Sequence, residues 1–321
     1  MNFLKIFKEV VFMGNMTPNP KYITIHDNKK LITEFINDMI IEPRRKAHKW
    51  SVITNQTPNL KSGYPMQHLA SLIVGMEGTA TGARGDDIVD KSEVKACSKV
   101  DQSDKCNNCK ANVLRSDLSC IKCGSTDIKR NNDSKWLISI RSQDELRMYL
   151  EETPRFIFIV SDYPKFEENN FNDIRIRAFE IWPKSERSKR FSDLLTKYYE
   201  NIYLEHIRKD PNLTPAPKNL FPDDFPFYMC NPIKIFECII ENSLSETAKP
   251  NITYYIEPSQ DRTNLASELM PKSKLQKQEI KLLSSFFNLD NINYIDEKMR
   301  EKLSLRDTDK KIKVIGTKKH K

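Results

Sequence analysis

Apolar residues recur at helical spacing in the first quarter of the chain. In KLITEFINDMIIE they fall three or four residues apart from Leu31 to Ile40, which predicts an amphipathic helix that ends at Pro43. Residues 65–77, PMQHLASLIVGME, repeat this spacing, and Gly78 directly after them is a candidate helix C-cap. The basic segment between these two helices is predicted to be a solvated loop.

Short apolar runs that are typical of strands follow in the middle of the chain. Ile88 and Val89, then Val94 and Ala96, predict a tight antiparallel hairpin that turns at Asp90. Further strands are predicted at 136–140, 155–162 and 173–182, with a helix at 144–152. Strands and helices that alternate in this way indicate a mixed α/β core.

From Pro183 onward the pattern is mostly helical. The segments RFSDLLTKYYENIYLEHIRK, NPIKIFECIIENSL and KSKLQKQEIKLLSSFFNL are predicted helices, and a proline-rich linker lies among them. We therefore expect a core over residues 1–182, a mainly helical C-terminal part over 183–306 and a basic tail over 307–321.

Composition limits the class of protein without identifying it. Hydrophobic residues make up 38% of the chain and include 16 Phe, which is enough to fill a folded core. No apolar run approaches the ~20 residues that a membrane helix requires. Charged residues interrupt the N-terminal sequence MNFLKIFKEVVFMGNM, so it lacks the apolar core of a secretory signal, and a cytoplasmic protein is expected.

Basic residues exceed acidic ones by 52 to 44, which gives a net charge of +8. This excess suits a polyanionic partner, although a solvated basic face explains it equally well. Arg175 and Arg177 share one face of a predicted strand, and Arg187, Lys189 and Arg190 follow them in the sequence. These five residues are candidates for contacting the phosphates of a DNA duplex, with a solvated face again as the alternative.

Four of the seven cysteines form two C-x2-C pairs. Ten residues separate Cys106 and Cys109 from Cys120 and Cys123, and this spacing places four thiolates around one tetrahedral Zn²⁺. We expect a zinc ribbon over about residues 100–130. Its metal is structural, because four protein ligands leave no position for water. A redox role for either pair is a weaker alternative, since two adjacent pairs fit one metal better than two redox centres.

A second candidate site lies just before the cysteines. Asp86 and Asp87 follow a glycine-rich bend, and Glu93 and Lys95 lie two residues apart on the predicted returning strand, so they project from one face. A hairpin over 85–97 would bring the two aspartates alongside them. Carboxylate oxygens suit Mg²⁺, which binds one or two carboxylates together with phosphate oxygens and water. The lysine could then orient a water molecule that attacks phosphorus.

The D-x6-E-x-K interval from Asp86 to Lys95 resembles the active-site hairpin of the PD-(D/E)xK nuclease superfamily. The wider stretch GARGDDIVDKSEVKACSKVDQSDKC, in which the cysteine module directly follows the catalytic strand, resembles type II restriction endonucleases and in particular the MamI-like group. The resemblance covers about residues 65–182. It implies a nuclease core with an inserted zinc ribbon, Mg²⁺-dependent hydrolysis of double-stranded DNA at a specific sequence, and a homodimer that matches a palindromic site.

The resemblance leaves the metal ligands partly open. Asp86 gives the D-x6-E interval, whereas Asp87 directly precedes an apolar pair, as is common in the superfamily. Gly85 stands where the motif has proline. The acidic residue that the superfamily often adds from the preceding helix matches Glu77 best and Glu34 second, with a plain solvated carboxylate as the alternative for each.

Two other functions fit the same sequence. One is a repair or recombination nuclease with the same fold and catalytic residues. The other is a zinc-ribbon DNA-binding protein without catalysis, in which Glu93 and Lys95 form a surface ion pair. The sequence contains no ATP-binding loop, so no nucleotide cofactor is expected, and helices at 185–208 and 271–288 are candidates for pairing two subunits.

Overall fold

The computed structural model describes residues 15–61, 63–80, 86–212 and 214–306, together with the short strand Val314–Ile315. Apart from that strand, the basic tail lies outside the described residues, as does Gly85 at the start of the predicted hairpin. The helices are α1 (Asn28–Ile36), α2 (Glu42–Thr54), α3 (Gly63–Val74), α4 (Gln143–Arg147), α5 (Lys189–Tyr198), α6 (Leu204–Lys209), α7 (Phe225–Met229), α8 (Lys277–Ser284) and α9 (Glu297–Arg300). The strands are β1 (Glu93–Ser98), β2 (Asp104–Cys106), β3 (Asn112–Val113), β4 (Ile128–Lys129), β5 (Trp136–Ile138), β6 (Phe156–Asp162), β7 (Ile174–Ile181), β8 (Thr214–Pro215), β9 (Lys218–Leu220), β10 (Ile233–Ile240), β11 (Pro250–Tyr255), β12 (Met270–Pro271), β13 (Tyr294–Ile295) and β14 (Val314–Ile315). Among these helices, none has the length and apolar character needed to cross a membrane.

Helices α1 and α2 form one continuous helical run, because a π-helical turn at Asn37–Ile41 joins them. The prediction that this helix ends at Pro43 is wrong. The amide of Glu42 already bonds five residues back, to the carbonyl of Asn37. The regular bonding pattern is therefore interrupted before the proline, which has no amide to contribute. The basic segment that follows is helical and not a loop.

Helix α3 leads the chain towards the candidate site and ends earlier than predicted, at Val74, directly before Gly75. This glycine has φ +68°, and a β-carbon there would lie 2.9 Å from Pro258 Cγ. Gly78, the predicted C-cap, instead forms an isolated β-bridge with Ile88. The predicted hairpin thus has only one regular strand, β1. The amide of Ile88 closes the turn before β1 with a 3.2 Å hydrogen bond to the carbonyl of Ser92.

Five strands form the central sheet in the order β1-β6-β7-β10-β11. β1 is parallel to β6, and the other neighbouring strands are antiparallel. Glu93 lies opposite Phe156 and Lys95 opposite Phe158 in the β1–β6 register. Every residue of β6 is buried, which confirms the buried strand predicted at 155–162. This mixed sheet with its helices confirms the predicted mixed α/β class.

The two faces of the sheet pack against different apolar clusters. One cluster is mostly aliphatic and includes Ile157 and Ile159 together with the inward side chains of α1 and α3. The other is rich in aromatic rings and includes Phe156 and Phe158 with the inward side chains of α5 and α7. Because side chains alternate along a strand, Glu93 projects from the aromatic side of β1.

The C-terminal part contributes two strands to the same sheet. The prediction of a helix in NPIKIFECIIENSL is wrong, because Ile233–Ile240 forms β10 between β7 and β11. Its buried residues do not alternate strictly, since the neighbours Ile235 and Phe236 are both buried, and two register shifts interrupt its pairing with β7 and β11. Helices α5, α6 and α8 confirm the other two helical segments. The C-terminal part is therefore mixed and not mainly helical.

Strands β2, β3 and β4 form a separate small sheet directly after β1, within the range predicted for the ribbon. Asp104 at its base is fully buried and forms ion pairs with Arg115 at 3.2 Å and Arg130 at 2.8 Å. The Arg115 guanidinium also packs over the rings of Tyr163 and Phe171. These contacts hold the small sheet against the body of the protein.

Candidate active site

Strand β1 presents Glu93 and Lys95 side by side. The residues lie two positions apart, so both side chains project from the same face, as predicted. Lys95 Nζ donates a hydrogen bond to Glu93 Oε1. The side chain of Glu93 is 14% exposed and that of Lys95 is 20% exposed. The pair is therefore mostly buried but still reaches solvent.

Asp87 is fixed beside this pair by two hydrogen bonds. The backbone amide of Val94 donates to Asp87 Oδ2 at 2.7 Å, which ties the carboxylate to β1. Gln67 Nε2 donates to Asp87 Oδ1 at 2.6 Å, which ties it to α3. Each carboxylate oxygen keeps a second lone pair, so Asp87 can still bind a cation.

Burial raises the pKa of Asp87 and of Glu93 above their ordinary values. The Val94 amide and the Lys95 ammonium oppose this effect at Asp87, and Lys95 opposes it at Glu93. The negative charge of Asp86 raises the pKa of both carboxyl groups further. Three neighbouring carboxylates therefore share one ammonium. This excess of negative charge in a partly buried place fits a divalent cation with oxygen ligands.

The structure separates the two aspartates that the sequence left as alternatives. Asp87 is bonded through its side chain to both α3 and β1. The backbone carbonyl of Asp86 accepts a hydrogen bond from the Thr79 hydroxyl, and its carboxylate acts on Asp87 and Glu93 through charge. Two side-chain hydrogen bonds therefore hold the Asp87 carboxylate between α3 and β1.

The candidate acidic residues from the preceding helices take no part in these hydrogen bonds. Glu77 follows the end of α3, its carbonyl accepts a 3.0 Å hydrogen bond from the Val89 amide, and its side chain is exposed. Glu34 is exposed on α1. Within the described part of the chain, no hydrogen bond joins either carboxylate to Asp87 or Glu93.

No pattern in the sequence indicates that Gln67 and Tyr149 belong near this site. Gln67 bonds Asp87 only because α3 packs against β1. Tyr149 packs edge-on against Phe156 with ring centroids 5.2 Å apart. Burial, followed by the nearby charge of Glu93, raises the pKa of the Tyr149 hydroxyl. Tyr149 thus lies near Glu93 on the aromatic side of the sheet.

The four cysteines of the ribbon come together as predicted. Their sulfur atoms all lie within 4.8 Å of one another. Cys106 Sγ lies 3.6 Å from Cys123 Sγ, and Cys109 Sγ lies 3.5 Å from Cys120 Sγ. Four thiolates at the Zn–S distance of about 2.3 Å stand about 3.8 Å apart in a tetrahedron, so this cluster is compatible with zinc.

Two of the predicted DNA-binding arginines are engaged inside the chain. Arg177 is buried and donates to Asp162 Oδ2 at 2.5 Å and to both carboxylate oxygens of Asp223, at 2.9 and 2.7 Å. Arg175 makes two hydrogen bonds of 2.9 Å to Asp162. Carboxylates of the same chain therefore already balance both positive charges.

The other three basic candidates differ in their exposure. Arg187 pairs with Glu297 at 3.2 Å. Arg190 donates to the carbonyl of Glu301 at 3.2 Å, and burial lowers its pKa. Lys189, at the start of α5, is exposed. The structure does not gather the five residues into one free basic surface.

Comparison with known proteins identifies the family of this chain. A family model described as MamI restriction endonuclease matches residues 49–273, well over half of the chain. The chain belongs to the MamI restriction endonuclease family. The matched range contains the Asp87, Glu93 and Lys95 site, the four cysteines and the whole central sheet. The resemblance to MamI-like restriction endonucleases inferred from the sequence is thereby confirmed.

A curated member of this family is similar over a shorter stretch. The type II restriction enzyme MamI of Microbacterium ammoniaphilum is 26% identical over 83 residues, which is 26% of this chain and 27% of that enzyme. No solved structure matches the chain significantly.

Proposed function

We propose that this chain is a Mg²⁺-dependent type II restriction endonuclease of the PD-(D/E)xK kind, which hydrolyses phosphodiester bonds of double-stranded DNA at a specific sequence. The observation that carries the proposal is the grouping of Asp87, Glu93 and Lys95 at the start of β1 in a chain of a restriction endonuclease family.

Asp87 and Glu93 are the proposed ligands of the catalytic metal. Both carboxylates are partly buried and carry raised pKa values, so a divalent cation would relieve the repulsion between them. We prefer Asp87 to Asp86 because Gln67 and the Val94 amide hold its carboxylate in place. Glu77, with its exposed side chain, is at most an additional ligand. A bound Mg²⁺ would stabilise the negative charge on a phosphate oxygen and on the leaving oxygen.

Lys95 is the proposed partner of the attacking water. Its ammonium group lies beside Glu93 on the same face of β1, so it can donate a hydrogen bond to a water held near the carboxylates. The water oxygen then forms a bond to phosphorus as it loses a proton to solvent, and the leaving oxygen takes up a proton from solvent as its bond to phosphorus breaks. The positive charge of Lys95 stabilises the negative charge that develops at phosphorus.

The four ribbon cysteines are proposed to hold a structural Zn²⁺. The cluster offers four sulfur ligands and therefore no position for a reacting water. The ribbon follows the catalytic strand directly and is anchored by Asp104, so its metal would stabilise the segment into which β1 leads.

Double-stranded DNA is the proposed substrate and a homodimer the proposed assembly. The exposed Lys189 is the best of the five basic candidates for a phosphate contact, because Arg177 is neutralised inside the chain. The apolar side chains of α5, including Phe191 and Leu195, are buried in their own chain, so this helix offers them to no second subunit. No nucleotide cofactor is proposed.

A cleavage assay tests this proposal. The protein is incubated with a long duplex DNA, in Mg²⁺ and in EDTA. We expect discrete fragments in Mg²⁺ and intact DNA in EDTA. A smear or nicking would favour a repair nuclease of the same fold. Intact DNA in Mg²⁺ and in other divalent ions, with metal-independent binding, would contradict catalysis.

A further inference from the structure

The turn between Asp87 and Glu93 is bonded to a buried arginine that directly precedes the neighbouring strand β6. Arg155, directly before β6, is fully buried. Its Nε donates to Ser92 Oγ at 3.0 Å, and its Nη2 donates to Asp90 Oδ2 at 3.2 Å. The backbone carbonyl of Arg155 accepts a 3.1 Å hydrogen bond from the Glu93 amide. One residue thus bonds three positions of the turn.

Further bonds within the turn make its shape depend on these contacts. The Ser92 amide donates to Asp90 Oδ1 at 2.9 Å, and the Lys91 amide donates to the Ile88 carbonyl at 2.8 Å. Lys91 has φ +69°, in the left-handed region that is unfavourable for residues with a β-carbon. Such a conformation persists where the surroundings hold it in place. Arg155 is the buried charged group that bonds this turn from outside; the exposed Lys91 side chain also pairs with Glu152 at 3.5 Å.

The arginine is itself fixed by a chain of buried ion pairs. Arg155 Nη1 donates to Glu180 Oε1 at 2.7 Å, and Arg262 Nε donates to Glu180 Oε2 at 3.3 Å. Glu180 and Arg262 are both fully buried, and the Trp182 indole also donates to Glu180 at 2.9 Å. From Asp90 through Arg155 and Glu180 to Arg262 the charges alternate in sign. The guanidinium of Arg155 therefore has little freedom to move.

We propose that Arg155 is a positioning residue that sets the separation of the Asp87 and Glu93 carboxylates by holding the turn between them. This inference rests on the proposed function, since it assigns the two carboxylates to one metal. Arg155 contacts no reacting group itself. Replacing a residue that orients a metal ligand without binding the metal itself typically lowers metal affinity 10- to 100-fold.

The test compares Arg155→Lys with Asp90→Asn and with Arg44→Lys as a matched control. Arg44 is also buried in a bidentate ion pair, with Asp101 at 2.7 and 2.9 Å, but it contacts neither the turn nor the proposed ligands. Asp90→Asn removes one charge and keeps an oxygen that can accept from the Ser92 amide, so it tests the contact even if Arg155→Lys fails to fold. For each variant, cleavage rate is measured against Mg²⁺ concentration, and thermal stability is measured in EDTA.

We expect Arg155→Lys and Asp90→Asn to raise the half-saturating Mg²⁺ concentration about tenfold or more. The control should lose stability and keep the Mg²⁺ dependence of the wild type. An unchanged Mg²⁺ dependence in both test variants, with a Mg²⁺-dependent wild type, would overturn this inference alone. A change that Arg44→Lys reproduces would also overturn it. A wild type that needs no divalent cation would overturn the proposed function together with the inference.

Discussion

The side-chain amide of Gln67 donates a 2.6 Å hydrogen bond to Asp87 Oδ1 and thereby connects α3 to the proposed metal site. Asp87 also accepts from the Val94 amide, so helix and strand together orient one carboxylate. A carboxylate held in this way binds a metal without first losing rotational freedom. The bond is the reason that Asp87 is the ligand proposed here.

Replacing Gln67 by Leu should weaken metal binding without unfolding the protein. The change removes one hydrogen bond to Asp87 at a half-buried position, and losses of this kind lower metal affinity about 10- to 100-fold. The measurement is the Mg²⁺ concentration that gives half-maximal cleavage. Gln56→Leu, at an exposed position, is the control. An identical Mg²⁺ requirement in both variants would contradict the proposed role of Gln67.

Replacing Glu93 by Gln should stabilise the metal-free protein while it abolishes cleavage. Burial raises the pKa of Glu93 in the folded state, so ionisation of this group opposes folding. The stability that Glu93 contributes while it is protonated is therefore lost as pH rises from its pKa in the unfolded state through its higher pKa in the folded state. Thermal unfolding in EDTA from pH 4 to pH 8 measures this. Glu246→Gln, at an exposed position, should show no such difference. A Glu93→Gln variant that is less stable than the wild type at pH 8 would contradict the electrostatic account.

Substitutions at Arg177 and at Lys189 should affect different properties, stability in the first case and DNA binding in the second. Arg177→Met leaves the buried Asp162 without one of its cationic partners and should cost about 3–5 kcal/mol in the free energy of unfolding, measured in urea. Lys189→Met should leave stability unchanged and reduce the slope of log affinity for DNA against log salt by about 0.9, as expected for one phosphate contact. Equal stability of Arg177→Met and the wild type would refute the internal role of this arginine.

Replacing Cys106 and Cys109 together by Ser should release zinc from the protein and destabilise the ribbon. Two of the four sulfur ligands are removed, and a zinc site of this kind contributes directly to folding. Metal content per chain and proteolysis between residues 100 and 130 measure the effect. The control is Cys238→Ala, in a strand of the central sheet; this variant should retain the zinc of the ribbon. A double variant that retains one zinc per chain would show that the ribbon cysteines do not hold it.

Local patterns were sufficient to predict the cysteine cluster, the buried strand β6 and the mixed α/β class. Each depends on residues close together in the chain: the C-x2-C spacing or a continuous apolar run. The Glu93 and Lys95 pair was predictable for the same reason, since side chains two apart on a strand share a face.

Other features depend on tertiary contacts that no local pattern shows. Strand β10 resembled a helix because its apolar residues do not alternate strictly, a departure that goes with two register shifts in its pairing. The pairing of Arg177 with Asp223 joins residues far apart in sequence, so the strand pattern alone predicted a basic surface where the structure has an internal ion pair. The contacts of Gln67 with Asp87 and of Arg155 with Glu180 form only when separate elements pack together.

The most direct test of the central claim is the behaviour of Lys95→Met. DNA binding is measured in Ca²⁺, and the rate of a single round of cleavage is measured in Mg²⁺, for this variant and the wild type. If Lys95 orients the attacking water, binding should change less than about twofold, while the cleavage rate falls by about 10²–10⁴-fold. Cleavage by Lys95→Met at the wild-type rate would contradict the assignment of Asp87, Glu93 and Lys95 as the catalytic site.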